Sequence, residues 1–137
     1  MINSAIFGFK SAGSFIITNT LIHLLSVLLV FWFVLLLLKN KSEILLSKIE
    51  KPLFVSFITA LLFTIHPMRV ESVVWVSERK DVLYSLFFFA ACINYLKYLA
   101  SKKQRKYLIY SFFLFLASCL SKGQAVVLPI MLLLLDY

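Results

Sequence analysis

The sequence predicts an all-α polytopic membrane bundle of about five hydrophobic helices and one interfacial helix, in a single transmembrane domain over residues 1–137. Of the 137 residues, 62% are hydrophobic and only 15% are charged, whereas about 25% are charged in an ordinary soluble domain. The mean hydropathy is +0.97. A soluble fold of this length cannot bury so much apolar surface, so the excess must face lipid. This composition excludes a soluble enzyme domain, a secreted disulfide scaffold and a free nucleic-acid-binding module.

Long apolar runs define the predicted helices, because a helix satisfies its own backbone hydrogen bonds in lipid. The first run has no charge from residue 11 to residue 38, which exceeds the roughly 20 residues that a spanning helix needs. Pro52 suits the first turn of the second helix, but that run is short and must borrow flanking residues or stop before a full crossing. The hydrophobic helices are predicted at about 14–38, 52–66, 82–99, 107–120 and 125–137.

The connector 66–81 is the most polar stretch of the chain. Read as a helix over about 67–80, it places Val73 on one face and both Glu71 and Trp75 on another. This pattern predicts an interfacial helix with Trp75 at the level of the lipid headgroups.

Two further boundaries follow from polar residues between the later runs. Asp81 is expected to be the N-cap of the third hydrophobic helix. The tight polar break at 121–124 separates the fourth and fifth helices. We expect these two helices to form an antiparallel hairpin, with Lys122 close to 66–81.

The distribution of basic residues predicts the orientation. If the connectors alternate sides, 39–51 and 97–106 lie on one side and carry nine Lys and Arg residues. The N-terminus, 66–81 and 121–124 lie on the other side and carry five. The more basic side is cytoplasmic, so 66–81 is expected to face the exoplasm. The net charge of +8 then reflects cytoplasmic loops and not a nucleic-acid-binding patch.

A cluster of charged side chains gathers on the predicted exoplasmic side. Its carboxylates could act as a general base or bind a metal, and its cations could hold a phosphate. A lipid phosphate is a plausible ligand at that depth, and a solvated loop with internal ion pairs is the alternative. The cluster consists of His66, Arg69, Glu71, Glu78, Arg79, Lys80, Asp81 and Lys122.

For individual members of this cluster, a purely structural role is an alternative to ligand binding. His66 could bind a phosphate or a metal, or could cap a helix, and one His does not make a metal site. Lys122 could snorkel to the interface, or could join backbone N–H groups of the polar break in binding an anion. His23, inside the first helix, is interpreted as a polar residue packed within the bundle.

The stretch from His66 to Leu83 resembles a segment of polytopic membrane proteins that are fused to tetratricopeptide repeats and are common in bacteria. Their animal relatives are the transmembrane and tetratricopeptide-repeat-containing O-mannosyltransferases. The later Ser121-Lys122, followed by 126–129 and 132–137, is similar to the family's next block in the expected order and spacing. The likeness covers roughly residues 15–137.

The resemblance implies the membrane core of a GT-C-type glycosyltransferase, in a multi-pass protein of the bacterial inner membrane. Such enzymes take a sugar from a polyprenyl-phosphate carrier and pass it to a hydroxyl on the exoplasmic side. The lipid-linked sugar is then the donor, a protein is a candidate acceptor, and a divalent metal is compatible with the chemistry. Glu71 and Asp81 are the implied catalytic acidic residues. The candidate ligands of the lipid phosphate are Arg79, Lys80, Lys122 and His66.

The sequence departs from the family pattern in three ways. The family usually has His where this chain has Arg69, and Thr where it has Val127. GT-C enzymes generally carry their principal acidic pair after the first transmembrane helix, whereas this chain has no acidic residue before Glu43. We therefore expect an internal piece or a shortened relative of such a protein. The alternative function is a non-catalytic membrane anchor or assembly module of a tetratricopeptide-repeat protein.

Overall fold

The computed structural model of the protein describes residues 12–40, 51–75, 78–101 and 104–136. All regular structure in these ranges is helical, which confirms the predicted all-α class. The elements are α1 (Ala12–Asn40), α2 (Pro52–Ile65), α3 (Pro67–Val74), α4 (Arg79–Ala100), α5 (Arg105–Ser121), a 3₁₀ segment (Gly123–Val127) and α6 (Leu128–Asp136).

Two of these helices are long and apolar enough to cross a membrane, namely α4 and the part of α1 over Phe15–Lys39. The α2–α3 pair is bent by 57° and makes a third span if the two helices are counted as one. The bend lies at His66, which is extended (φ −63°, ψ 126°), because Pro67 disfavours a helical conformation in the residue before it. The described helices therefore provide two to three candidate spans, and the predicted number of about five is not confirmed.

The helix boundaries on either side of Trp75 differ from the prediction. The helix that begins at Pro67 ends at Val74, since Trp75 is extended (φ −83°, ψ 120°), and residues 76–77 lie outside the described ranges. The next helix begins at Arg79 rather than at residue 82. The prediction of one continuous helix over 67–80 is therefore wrong, because the helix stops before Trp75 and Arg79 and Lys80 belong to α4.

The predicted capping role of Asp81 is also wrong. The N-cap position of α4 belongs to Glu78, whose side chain makes no capping hydrogen bond. Asp81 lies in the first helical turn, where the positive end of the helix dipole favours a carboxylate. Arg79 and Lys80 are good helix formers, so they extend the helix ahead of Asp81.

The other helices start and end within two residues of their predicted limits, except that the last one is split. The 3₁₀ segment precedes α6, so the predicted helix at 125–137 begins as a tighter turn. Most of the connector 39–51 lies outside the described ranges.

Helices α1 and α4 form the centre of the bundle. Helix α2 packs on α1, α5 packs on α4, and α3 contacts α1, α2 and α4. The core consists of Phe33 of α1, three residues of α4 and Leu135 of α6. Outward-facing side chains such as Leu28 and Leu133, 63% and 70% exposed, are apolar. Such a surface suits lipid, because soluble monomers rarely expose large apolar patches.

Two buried serines hold α5 against α4. Ser111 Oγ donates to the carbonyl oxygen of Ala91 at 3.0 Å, and Ser118 Oγ donates to that of Tyr84 at 3.3 Å. Small polar residues at helix contacts allow close approach and supply interhelical hydrogen bonds in membranes. The second bond brings the end of α5, and with it Lys122, to the first turns of α4.

Candidate functional site

A polar pocket of about 520 Å³ lies where α3, the start of α4 and the end of α5 meet. It contains side chains of both charges together with hydroxyl, amide and indole groups. Its lining residues are His66, Met68, Arg69, Glu71, Ser72, Trp75, Glu78, Asp81, Tyr84, Lys122 and Gln124. The chain thus brings together two segments that are about 40 residues apart in the sequence.

An ion pair joins the two sides of the polar pocket. Lys122 Nζ lies 2.6 Å from Asp81 Oδ1, with side chains that are 26% and 18% exposed. This oxygen is buried and accepts no hydrogen bond of good geometry from any described group. Lys122 follows α5, and its backbone N–H donates to the carbonyl of Ser118 at 3.0 Å. The contact confirms the prediction that Lys122 lies close to 66–81.

Arg69 reaches the polar pocket from α3 and rests on an aromatic column. Its guanidinium carbon lies 5.0 Å from the centre of the Phe63 ring, a cation–π contact that contributes about 0.5–2 kcal/mol. Phe63 in turn stacks on His23 at 5.8 Å and meets Phe89 edge-on at 5.7 Å. Neither of the two ion pairs among the described side chains includes Arg69, so no described carboxylate neutralises its charge.

A polar side chain of α1 anchors the helix that carries Arg69. Asn19, which is 1% exposed, donates through Nδ2 to the carbonyl of Val73 at 3.4 Å. This carbonyl belongs to the last turn of α3, where helix carbonyls lack intrahelical partners. His23 is also buried, which agrees with its interpretation as a packed polar residue. The inward face of α1 therefore positions one wall of the polar pocket.

The structure brings four of the six predicted site residues to the polar pocket and leaves two outside it. The lining residues do not include Arg79 or Lys80. Successive side chains of a helix are rotated by about 100°, so Arg79 and Lys80 point about 160° and about 100° away from Asp81 around the axis of α4. Lys80 Nζ instead lies 4.0 Å from Glu78 Oε1, with side chains that are 55% and 34% exposed. The residues inside the pocket are His66, Glu71, Asp81 and Lys122.

Sequence reasoning missed several lining residues. Arg69 was part of the charged cluster but was not predicted as a phosphate ligand, although its spacing of three from His66 is a helical repeat. Tyr84 follows Asp81 by three residues and therefore shares its face of α4. Gln124 had no comparable signal, because its position depends on the 3₁₀ segment.

A metal centre is not formed by the residues that the structure describes. Among them, no group of three or more His, Cys, Asp or Glu side chains could hold a metal ion. The carboxylate of Asp81 is paired with Lys122 instead.

No protein-family model, curated protein or solved structure matches the chain.

Proposed function

We propose that the chain is part of a membrane glycosyltransferase that passes a sugar from a polyprenyl-phosphate carrier to a hydroxyl acceptor on the exoplasmic side. The observation that carries the proposal is the polar pocket, where the ammonium of Lys122 and the guanidinium of Arg69 line the same space as the carboxylate of Asp81. The resemblance of 66–83 to the tetratricopeptide-repeat-fused membrane proteins supports the same reaction.

Sugar transfer from a lipid phosphate requires both kinds of charge. The acceptor hydroxyl gives its proton to a carboxylate while its oxygen bonds to the anomeric carbon of the sugar. The bond from that carbon to the phosphate oxygen breaks, and the phosphate leaves with the electron pair. Cations that hold the departing phosphate stabilise the negative charge that develops on it.

The burial of the side chains indicates which residue acts as the base and which residues bind the phosphate. Asp81 is the better base, because its side chain is only 18% exposed whereas Glu71 lies exposed. Lys122 and Arg69 are the cations for the phosphate, and His66 lines the same pocket. Arg79 and Lys80 remain sequence-based candidates that would need to approach from outside the pocket.

A lipid-linked donor fits the position of the pocket at one end of apolar helices. Trp75 and Met68, which are 60% and 66% exposed, add amphipathic and apolar surface to its lining. Trp side chains concentrate at membrane–water interfaces. A carrier can therefore keep its hydrocarbon chain in the bilayer while its phosphate enters the pocket. The excess of basic residues in 39–51 and 97–106 supports an exoplasmic pocket in a multi-pass protein of the bacterial inner membrane.

The test is the release of polyprenyl phosphate from a lipid-linked sugar by the protein in membrane vesicles. General-base catalysis contributes roughly 10²–10⁴-fold, so Asp81→Asn should lower turnover by at least about 100-fold while membrane insertion stays normal. Asp136→Asn removes the same charge from the exposed end of α6 and should leave turnover unchanged. Wild-type turnover in Asp81→Asn would contradict the proposal.

A non-catalytic anchor or assembly module is the second candidate. It is favoured by the ion pair between Lys122 and Asp81, since internal ion pairs are what a purely structural cluster of charges would contain. In that case the wild-type protein shows no turnover, and charge removal at Asp81 and at Asp136 has the same negligible effect.

A further inference from the structure

We infer that the ammonium of Lys122 is shared between the carboxylate of Asp81 and a bound phosphate ester. The ester binds in the polar pocket by drawing Lys122 away from Asp81, and this movement uncovers the carboxylate that acts as the base. The inference concerns the regulation of the proposed site and rests on the proposed function. It makes the carboxylate available only when the anionic donor is bound.

The geometry shows that the two roles compete. Asp81 Oδ1 is buried, and Lys122 Nζ lies 2.6 Å from it. An acceptor hydroxyl needs to come within about 3.2 Å of a base to lose its proton. While the ammonium is in contact, it occupies the approach to that oxygen. The same ammonium is also one of the pocket's few cations, so both functions of the site depend on one side chain.

Lys122 can move between partners, whereas Arg69 is held in place. Lysine carries a compact charge on a flexible four-carbon stem. The residue lies at the break between α5 and the 3₁₀ segment, its backbone is extended, and the space around the Cα of Gly123 is open. Arg69 rests on Phe63 and forms no ion pair with a described carboxylate. An incoming phosphate therefore finds Arg69 available first and then competes with Asp81 for Lys122.

A carbodiimide reaction tests this exchange on the wild-type protein. The reagent condenses a carboxyl with an amine in contact, with loss of one water, and mass spectrometry of peptides locates the product. We expect a Lys122–Asp81 crosslink in protein held in phosphatidylcholine nanodiscs. Geranyl phosphate should remove this crosslink with the same concentration dependence as its binding, measured in parallel by calorimetry.

A small external amine, glycine ethyl ester, separates exchange from simple blocking of the pocket. Exchange predicts that Asp81 loses its crosslink and gains the glycine adduct, because the carboxyl has been uncovered. Blocking predicts that both products disappear, and a permanent ion pair predicts that the crosslink stays. Either of these two results would overturn the inference. The Lys80–Glu78 pair is the internal control, and its reactivity should not respond to the ligand.

Two control ligands show which chemical group of geranyl phosphate displaces Lys122 from Asp81. Geraniol, which lacks the phosphate, should leave the Lys122–Asp81 crosslink intact. Inorganic phosphate should act only at much higher concentration, and an equal effect would identify free phosphate rather than a lipid phosphate as the ligand and overturn the inference. Binding of geranyl phosphate with an unchanged crosslink refutes the exchange and leaves the proposed function standing. Absence of binding refutes the proposed function itself.

Discussion

The polar pocket and a second opening, an apolar groove between α5 and α6, have the same volume, about 520 Å³, and opposite linings. In a bilayer an apolar groove can be filled by lipid chains without any specific ligand. Charges at the end of membrane helices are costly unless they are solvated or used. Composition, and not size, therefore distinguishes the candidate site. The apolar groove is lined by Leu108, Ile109, Ser111, Phe112, Phe115, Leu128, Pro129 and Leu132.

One short segment separates the two openings. Gln124 lines the polar pocket, and Leu128, which directly follows the same 3₁₀ segment, lines the apolar groove. Leu135 of α6 packs in the core with Cys92 of α4. Helix α6 therefore packs on α4, and the groove lies between α6 and α5. The antiparallel hairpin of these two helices stays a prediction.

The largest expected contrast between the openings is in solvent access. In a background with Cys92 and Cys119 replaced by Ala, Trp75→Cys at the polar pocket should react with a membrane-impermeant maleimide added from the exoplasmic side. Phe112→Cys in the apolar groove should not react, because a thiol in lipid does not ionise readily. Labelling after denaturation controls for expression. Equal labelling of the two positions would contradict the difference in solvent access between the two openings. Labelling of Trp75→Cys only from the cytoplasmic side would contradict the exoplasmic position of the polar pocket.

The apolar groove should matter for stability. Leu128 is 1% exposed, and removal of a buried Leu side chain costs about 2–5 kcal/mol. We expect Leu128→Ala to lower the free energy of unfolding by this amount in a denaturant titration in detergent. Leu133→Ala, on the same helix but 70% exposed, should cost less than about 0.5 kcal/mol. Equal losses would show that α6 is not packed as described.

The polar pocket should matter for ligand binding and much less for stability. Arg69→Gln removes a charge-assisted hydrogen bond to phosphate, which contributes about 1.5–3 kcal/mol, or about one to two decades in the Kd of geranyl phosphate. Arg79→Gln removes the same charge from outside the lining and should weaken binding less. The reverse order would favour the sequence-based assignment of Arg79 over the structural one.

The smallest expected effect concerns the groove's one hydrogen-bonding side chain. Ser111→Ala removes the bond to Ala91 and should cost about 0.6 kcal/mol, the average for interhelical bonds in a membrane protein. Thr59→Ala is the control, since Thr59 bonds only within its own helix, to the carbonyl of Val55. A loss above about 2 kcal/mol at Ser111 would mean that the groove depends on polar contacts after all.

Most of the helical framework could be predicted from hydropathy, whereas the composition of the pocket could not. The proximity of Lys122 to 66–81 follows from a short connector, and that prediction is confirmed. The side chains that enter the pocket depend on where α4 begins, because a start at Arg79 instead of residue 82 decides which way Arg79 and Lys80 turn. No local signal marks this start.

The placement of Arg69 could not be predicted for a different reason. It depends on Phe63, which belongs to the preceding helix and is oriented by a 57° bend. Pro67 indicates that a bend occurs, but its angle is set by the packing of α3 on α1 and α4. Contacts between separate helices are not encoded in any one helix's periodicity.

The turnover of Lys122→Gln tests whether the polar pocket holds the phosphate of a lipid-linked sugar. Turnover of a polyprenyl-phosphate-linked sugar and membrane insertion are measured together in membrane vesicles, with Lys106→Gln at the opposite end of α5 as the matched control. We predict that Lys122→Gln inserts normally and loses at least about tenfold in turnover, as expected for a lost charge-assisted hydrogen bond, while Lys106→Gln retains wild-type turnover. Wild-type turnover in a normally inserted Lys122→Gln protein would contradict the account.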